Sequence, residues 1–425
     1  METKPEDILN DREKRANMIA LFLRDRDVVV TIRANIPGPD KRLPGAYVLI
    51  RHFSKLFYPE QQNNSLFVDG ADGPTIFRFI DNVSAKDLKK EAEWFENTEE
   101  VGRLLDIDVH TKEGTLHRDI LRKCVICDDY AVNCVRAKKH DQNEVLRIYQ
   151  EIFDDKFMTL LQDVIDKAIM AELNLDPKFG LVTPTSSGSH RDMDYAKMLK
   201  AKDAIIPYLT KMFIVALRVD VEKNIFPEIR KIGQEAEKAM FRATNGVNAY
   251  KGLIFSLGII IASTAMVLHG KGQFERIFIR AEELSSGLVK ELETGHDTFG
   301  KIAYQKYGIA GARKEAEMGF PLVSEALKTL NDIYDPLVLT KTLVYLIGTC
   351  EDTVFLKRSV TIEDYHKYQN MFKDLTDFSE GNIKKMTDYC IEHNLSFGGS
   401  ADLLVVAAFL EEFRKTFHLD IPTLS

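Results

Sequence analysis

Apolar and polar positions change rhythm once along this chain. Up to about residue 141, short strand-like runs mix with helix; beyond it, long helical periods follow one another. A charged amphipathic helix is predicted near residues 8–24, ahead of the β-branched run "DVVVTIRANIPGP", which Pro37-Gly38-Pro39 breaks. "SLFVDGADGPTIFRFIDN" reads as two short strands about an Asp-Gly turn, the second spanning Thr75 to Ile80. "GRLLDIDVHT" alternates with the period of a strand, so Leu105, Ile107 and Val109 share one face while Asp106 and Asp108 share the other. The helical part is interrupted near residues 176–189, 245–252, 295–300, 308–312 and 394–400, where Gly and Pro gather. Because Asn143 to Phe153 already reads as helix, the joint is a change of class without a linker. The expected organisation is multidomain: an N-terminal α+β domain over residues 1–153 and a larger all-α domain over 154–425.

Composition narrows the classes of function. A chain of 425 residues is long enough for two or three domains, and 45% apolar with 9% aromatic residues supplies packed cores. The net charge of −8, with acids and bases interspersed, argues against a broad nucleic-acid groove but leaves room for one phosphorylated small molecule. The charged start "METKPEDILNDREKR" has no apolar signal core. Leu253 to Leu268 is the most apolar run, yet Ser256, Gly258, Ser263 and Thr264 interrupt it, and a buried core helix is expected rather than a membrane span. Five cysteines and no secretion signal argue against a disulfide framework and for a cytoplasmic location.

Two clusters in the first domain invite chemistry. Asp106 and Asp108, two residues apart on a strand, suit one hard cation such as Mg²⁺, as metal-assisted phosphoryl transfer requires; the plain alternative is a solvated acidic edge. Arg103, next to a glycine, is placed to meet a phosphate if the chain bends there. Cys124, Cys127, Cys134 and His140 have spacing that a structural Zn²⁺ site uses, or are small side chains packing a helical hairpin.

The helical domain carries its polar groups at its breaks. In "SGSHRDMDY", Ser189 followed by Asp192 has the form of a helix cap, while His190, Asp192 and Asp194 suit proton transfer or metal binding. "TNGVNAYKGLIFSLG" sets Gly246, Asn248, Lys251 and Gly252 at a helix start that favours phosphate. Arg313 and Glu317, one turn apart, are most simply a surface ion pair. "LSFGGSADLL" places Gly398 and Gly399 before Ser400, a good N-cap, with Asp402 in the first turn.

"NIPGPDK" (35–41), "GRLLDIDV" (102–109) and "CVICDDYAVNCVRAKKH" (124–140), in this order, resemble the holo-citrate-lyase synthases, the phosphoribosyl-dephospho-CoA transferases, over residues 8 to about 150. The resemblance implies a nucleotidyltransferase-like domain. In it a serine of the citrate lyase acyl carrier protein attacks the α-phosphate of triphosphoribosyl-dephospho-CoA and pyrophosphate leaves. Asp106 and Asp108 would hold Mg²⁺, and Arg103 would contact phosphate. "DPKFGLV", "SGSHRDMDY", "GVNAYKGLIFSLG", "GIAGARKEAEMGFP", "EDTVFLKR" and "LSFGGSADLL" are similar to the triphosphoribosyl-dephospho-CoA synthases from about residue 157 onward. Those enzymes replace the adenine of ATP with the 2′-hydroxyl of 3′-dephospho-CoA, so the product of one half feeds the other.

Displacement at the ribose anomeric carbon needs a base for the incoming hydroxyl, a proton for adenine, and cations on the triphosphate. The residues matched for base and metal work are His190, Asp192 and Asp194. Lys251, Arg313 and Arg358 fall to phosphates, and Glu315, Asp352 and Asp402 to a Mg²⁺ site, with Gly246, Asn248, Gly398 and Gly399 lining the nucleotide site. Several positions depart from the family's pattern: Phe179 and Phe397 stand where proline is usual, Ala249-Tyr250 replace Thr-His, Lys314 a glycine, and Val354 an asparagine. Without a histidine, position 250 is read as unable to donate the proton. Two alternatives follow: a helical half that only docks nucleotide or carrier protein, or the equivalent enzyme serving malonate decarboxylase.

Overall fold

Among the described residues, six strands form one sheet in the order β5-β4-β1-β3-β2-β6, with β1 Val29–Ala34, β2 Ser65–Val68, β3 Thr75–Arg78, β4 Leu105–Thr111, β5 Gly114–Thr115 and β6 Thr423–Leu424. Every pairing is antiparallel except that of β2 with β6. The computed structural model describes residues 4–36, 45–61, 64–98, 101–219, 224–269, 273–294, 298–417, 419 and 423–424. Pro37-Gly38-Pro39, most of the motif at 35–41, and residues 295–297 of the expected break lie outside the described residues. The chain divides into two compact units, Met1–Thr159 with Lys415–Ser425, and Leu160–Arg414.

In the first unit the period-two pattern is realised. Leu105, Ile107 and Val109 are fully buried with Val30, Ile32 and Ile76, while Asp106 and Asp108 are half-buried on the opposite face. On that second face Val29, Phe77 and Phe79 pack with Met18, Ile19 and Phe22 of the helix Pro5–Phe22. Helix Ala85–Thr98 lies against β4, where β5 pairs only at residues 110 and 111. Glu96 accepts the Ile107 N–H at 2.7 Å, so backbone groups that β4 would otherwise leave unpaired are satisfied by side chains. The first helix starts at Pro5, earlier than expected, because proline suits a first helical turn. Strand β3 stops at Arg78 instead of Ile80 because β2 begins at Ser65, directly opposite Arg78.

Helix is the one regular secondary structure among the second unit's described residues, with loops between the helices. Helix Lys251–His269 is apolar all round and buried, as its sequence predicts, and is wrapped by helices Tyr195–Arg218, Phe226–Ala243 and Arg276–Ser285. Gly258 permits a close crossing with helix Tyr195–Arg218: a Cβ there would stand 2.8 Å from the Met212 sulfur. Helix Gly398–Thr416 is a second buried rod, with Leu403 to Phe413 all inside the unit.

Candidate functional sites

Register decides what surrounds the strand carboxylates. Arg33 is the cross-strand partner of Asp106, and Thr31 that of Asp108, so all four share a face. Arg122 donates to Asp106 Oδ1 at 2.9 Å and to Glu96 at 2.6 Å, and Lys89 stands 3.8 Å from Asp108 Oδ1. Neither Oδ2 has a protein partner among the described residues, which leaves one oxygen of each carboxylate for a hard cation. Glu96 is buried, and desolvation pushes its carboxyl up against the pull of Arg122 and Arg118. Next along the sheet, Asp72 receives Arg12 at 3.2 Å, Arg15 at 2.9 Å and Arg33 at 2.7 Å. Burial alone would raise Asp72, but the Arg12 hydrogen bond and the charges of Arg33 and Arg15 outweigh it and hold the carboxyl low. Three guanidiniums on one carboxylate leave a surplus of positive charge beside the acidic pair.

The sequence reading missed Glu96, Arg118, Arg122, Asp72 and the three arginines around it. Arg33 has the strand parity to be found, but its alignment with Asp106 is a matter of register. Arg103 is put to a different use from phosphate contact: its guanidinium donates to the carbonyls of Lys123 and Cys124, the latter at 2.8 Å. The cysteines do not pack a helical hairpin. Cys124 and Cys127 sit in a turn, Cys134 on the short helix Ala131–Arg136, and His140 in the loop after it.

In the second unit, four separate segments converge on a cavity of about 540 Å³. Of the residues chosen from sequence, His190, Asp192, Asn248, Lys251, Arg358, Gly398 and Asp402 line it. Arg358 donates to the Ser189 carbonyl at 2.8 Å and to His190 Nδ1 at 3.1 Å. A guanidinium can only donate, so His190 Nδ1 must accept, and its Nε2–H then donates to Ser396 Oγ at 2.9 Å. Burial and the neighbouring Arg358 push His190 down to about 4, overriding the opposite pull of Asp192. His190 is therefore a neutral prop for Arg358, with no lone pair left for a metal and no proton to give at neutral pH.

Asp402 faces the same cavity over Gly252, where a Cβ would collide with its carboxylate. Burial, then the acidic neighbours Asp352 and Glu172, raise its carboxyl well above the ordinary range. Tyr250 is buried beside it, and its hydroxyl has no hydrogen-bond partner among the described residues. Glu172 and Lys178, also in the lining, form a buried pair at 2.7 Å. The sequence reading missed this pair and the hydroxyl of Tyr250. A second cavity of about 500 Å³ shares Lys251 and Gly252 with the first and includes Arg313.

Other chosen residues serve the fold. Asp194, not Ser189, caps helix Tyr195–Arg218 by accepting the Lys197 N–H at 2.8 Å, because residues 189–193 are drawn aside along the cavity. Ser189 instead donates to the Cys390 carbonyl. Asp352 is buried and accepts the N–H groups of Val354 at 2.9 Å, Phe355 at 3.0 Å and Ser400 at 3.0 Å, so one carboxylate caps two helix starts. Ser400 accordingly lies inside the first turn of its helix and is not its cap, and Gly399 leaves room for Asp352. Glu315 is buried, accepting the Leu322 N–H at 2.8 Å, and desolvation raises it to about 7. Glu317 does not pair with Arg313; it accepts the N–H groups of Gly287 and Val289 at 3.0 and 2.8 Å. Gly246 adopts φ +87° in the loop before Asn248 and lines neither cavity.

Comparison with known proteins adds two family matches. Residues 158–420 match the model of CitG, ATP:dephospho-CoA triphosphoribosyl transferase, and residues 3–156 that of CitX, apo-citrate lyase phosphoribosyl-dephospho-CoA transferase. The chain is 31% identical to Protein CitXG of Leuconostoc mesenteroides subsp. cremoris over 427 residues, covering 90% of this chain and 91% of that protein. It is 30% identical to Protein CitXG of Haemophilus influenzae over 79% of each chain. Over 67% of this chain and 98% of the relative, it is 30% identical to the 2-(5''-triphosphoribosyl)-3'-dephosphocoenzyme-A synthase of Haemophilus ducreyi.

Proposed function

Because the chain belongs to the CitG family of ATP:dephospho-CoA triphosphoribosyl transferases and carries a CitX transferase in the same polypeptide, we propose that its two units perform consecutive steps. It is a bifunctional transferase that makes the citrate lyase prosthetic group and attaches it. In the helical unit, ATP and 3′-dephospho-CoA exchange adenine for the 2′-hydroxyl at the ribose anomeric carbon. In the α+β unit, which we read as nucleotidyltransferase-like, a serine of the citrate lyase acyl carrier protein displaces pyrophosphate from the product.

The observation that carries the first step is the convergence of Asp192, Lys251, Arg358 and Asp402 on one cavity. Asp402, raised by burial, keeps its proton and serves as the acid for departing adenine. Its neighbour Tyr250 offers a hydroxyl to the same base, so loss of the family histidine does not leave position 250 without a donor. Asp192, exposed at the rim, takes the proton of the incoming hydroxyl. Lys251 and Arg358 hold phosphates, and Arg313 extends that role into the adjoining cavity.

For the second step, Arg12, Arg15 and Arg33 bind the polyphosphate, and Asp72 orients them. Asp106 and Asp108 are the ligands Mg²⁺ would use; when bound, the ion neutralises charge on the leaving pyrophosphate. Arg122 positions Asp106.

Incubation with ATP, Mg²⁺ and 3′-dephospho-CoA should release adenine, followed by chromatography against a control without enzyme. Citrate lyase carrier protein added afterwards should gain the phosphoribosyl-dephospho-CoA mass on a serine, while malonate decarboxylase carrier should gain far less. Binding of both nucleotides without adenine release would mean that the helical unit only docks them.

A further inference from the structure

Residues 117–140 form an ordered segment with almost no core. Cys134 is its one buried residue, and Ile120, Leu121, Tyr130, Val132 and Val135 are exposed. A stretch so poor in burial needs another source of order. The Sγ atoms of Cys124, Cys127 and Cys134 and one His140 nitrogen supply it, since all lie within 4.8 Å of one another.

The two shortest separations are close to those of ligands on one metal ion and far from a disulfide bond. Cys127 Sγ stands 3.6 Å from Cys134 Sγ and 3.3 Å from His140 Nε2. Ligand atoms around zinc, at about 2.3 Å for sulfur and 2.0 Å for nitrogen, are separated by roughly 3.5–3.8 Å, whereas bonded sulfurs are about 2.05 Å apart. The backbone is arranged for thiolates as well. Ile126 N–H donates to Cys124 Sγ at 3.4 Å. The turn is closed by Cys124 N–H on the Asp129 carbonyl at 2.7 Å and Ala131 N–H on the Arg122 carbonyl at 2.9 Å. Lys139 approaches Cys127, offsetting the surplus negative charge of three thiolates on a divalent ion.

The same turn is fastened to the sheet. Arg103 donates to the carbonyls of Lys123 and Cys124, and the limb entering the turn carries Arg118 and Arg122 to Glu96 and Asp106. We propose that Cys124, Cys127, Cys134 and His140 bind one zinc ion, which staples residues 117–140 and thereby holds Arg118 and Arg122 against Asp106. The ion has three sulfur ligands, one imidazole and no open position, so it takes no part in the chemistry.

The full-length chain, purified without chelator, should contain about one zinc per chain by plasma mass spectrometry. Cobalt substitution should give the thiolate charge-transfer and intense d–d bands of a tetrahedral site. Cys127→Ser and His140→Ala should lose the metal, whereas His140→Cys, which restores a ligand, should keep it. A zinc-selective chelator in excess Mg²⁺ should cut transfer to carrier protein by about tenfold or more. Adenine release by the same chain should continue, reporting that the rest of the protein is folded, and added zinc should restore transfer. Zinc-free protein that gains no cobalt bands, or a Cys127–Cys134 disulfide found by mass mapping, would overturn the site. Unchanged transfer after complete metal removal would overturn its link to Asp106.

Discussion

Residues of one chemical type divide here according to their surroundings. Asp402 and Asp352 are both withdrawn from water, yet Asp352 is surrounded by backbone donors while Asp402 faces a cavity. Asp402→Asn keeps the shape and removes only the proton, so adenine release should fall by about 10²–10⁴. Its melting temperature should stay within a few degrees of the parent, as a neutral amide replaces a carboxyl already disposed to be neutral. Glu315 provides a pH test of the fold. Its carboxyl is raised from 4.5 to about 7 by burial, so the folded unit retains a proton that the unfolded chain has released. Rising pH through that window therefore removes stability, on the order of 3 kcal/mol from this group. Glu315→Gln should melt like the parent near pH 4.5 and progressively above it toward pH 8; an unchanged difference across the range would contradict this.

Among the elements, the two Asp-x-Asp pairs part ways. Asp106 and Asp108 lie on a strand, whose period of two keeps them on one face. Asp192 and Asp194 straddle the end of a loop, so one reaches the cavity and the other caps a helix. Helix Thr353–Arg358 is short, and it is anchored at both ends: by Asp352 at its start, and by Arg358 on Ser189, Asn394 and His190 at its finish. Because Asp352 also caps helix Gly398–Thr416, Asp352→Ala removes two caps at once. It should cost about 2–4 kcal/mol of unfolding free energy in urea, with Asp352→Asn, which keeps an acceptor, losing less.

Across the whole molecule, the residues proposed for each reaction lie within one compact unit. An Asp106→Asn chain should release adenine at the parental rate but leave carrier protein unmodified. An Asp402→Asn chain should modify carrier protein when supplied with preformed triphosphoribosyl-dephospho-CoA. Mixing the two variants should restore the complete sequence from ATP, read as mass gain on the carrier, because the intermediate is a small molecule that can pass between chains. The charge of −8 fits this economy: cations are gathered locally, as Arg12, Arg15 and Arg33 are, and the remainder of the chain stays acidic.

Much of this was legible in residue order. Strand β4 and its two faces, the buried helix after Lys251, the breaks at 245–252 and 394–400, and the cysteine–histidine spacing all depend on neighbours a few positions apart, where backbone geometry alone sets which side chains align. Tertiary structure decided the rest. Arg33 meets Asp106 only through the register of β1 on β4, and Asp352 reaches Ser400 across 48 positions of chain. His190 looked like a base until Arg358, 168 residues away, claimed its Nδ1. Local periodicity is dictated by covalent geometry and hydrophobic spacing. Which distant donor completes a buried carboxylate or imidazole is determined by packing, and with it whether that group caps a helix, props a neighbour or keeps a proton for chemistry.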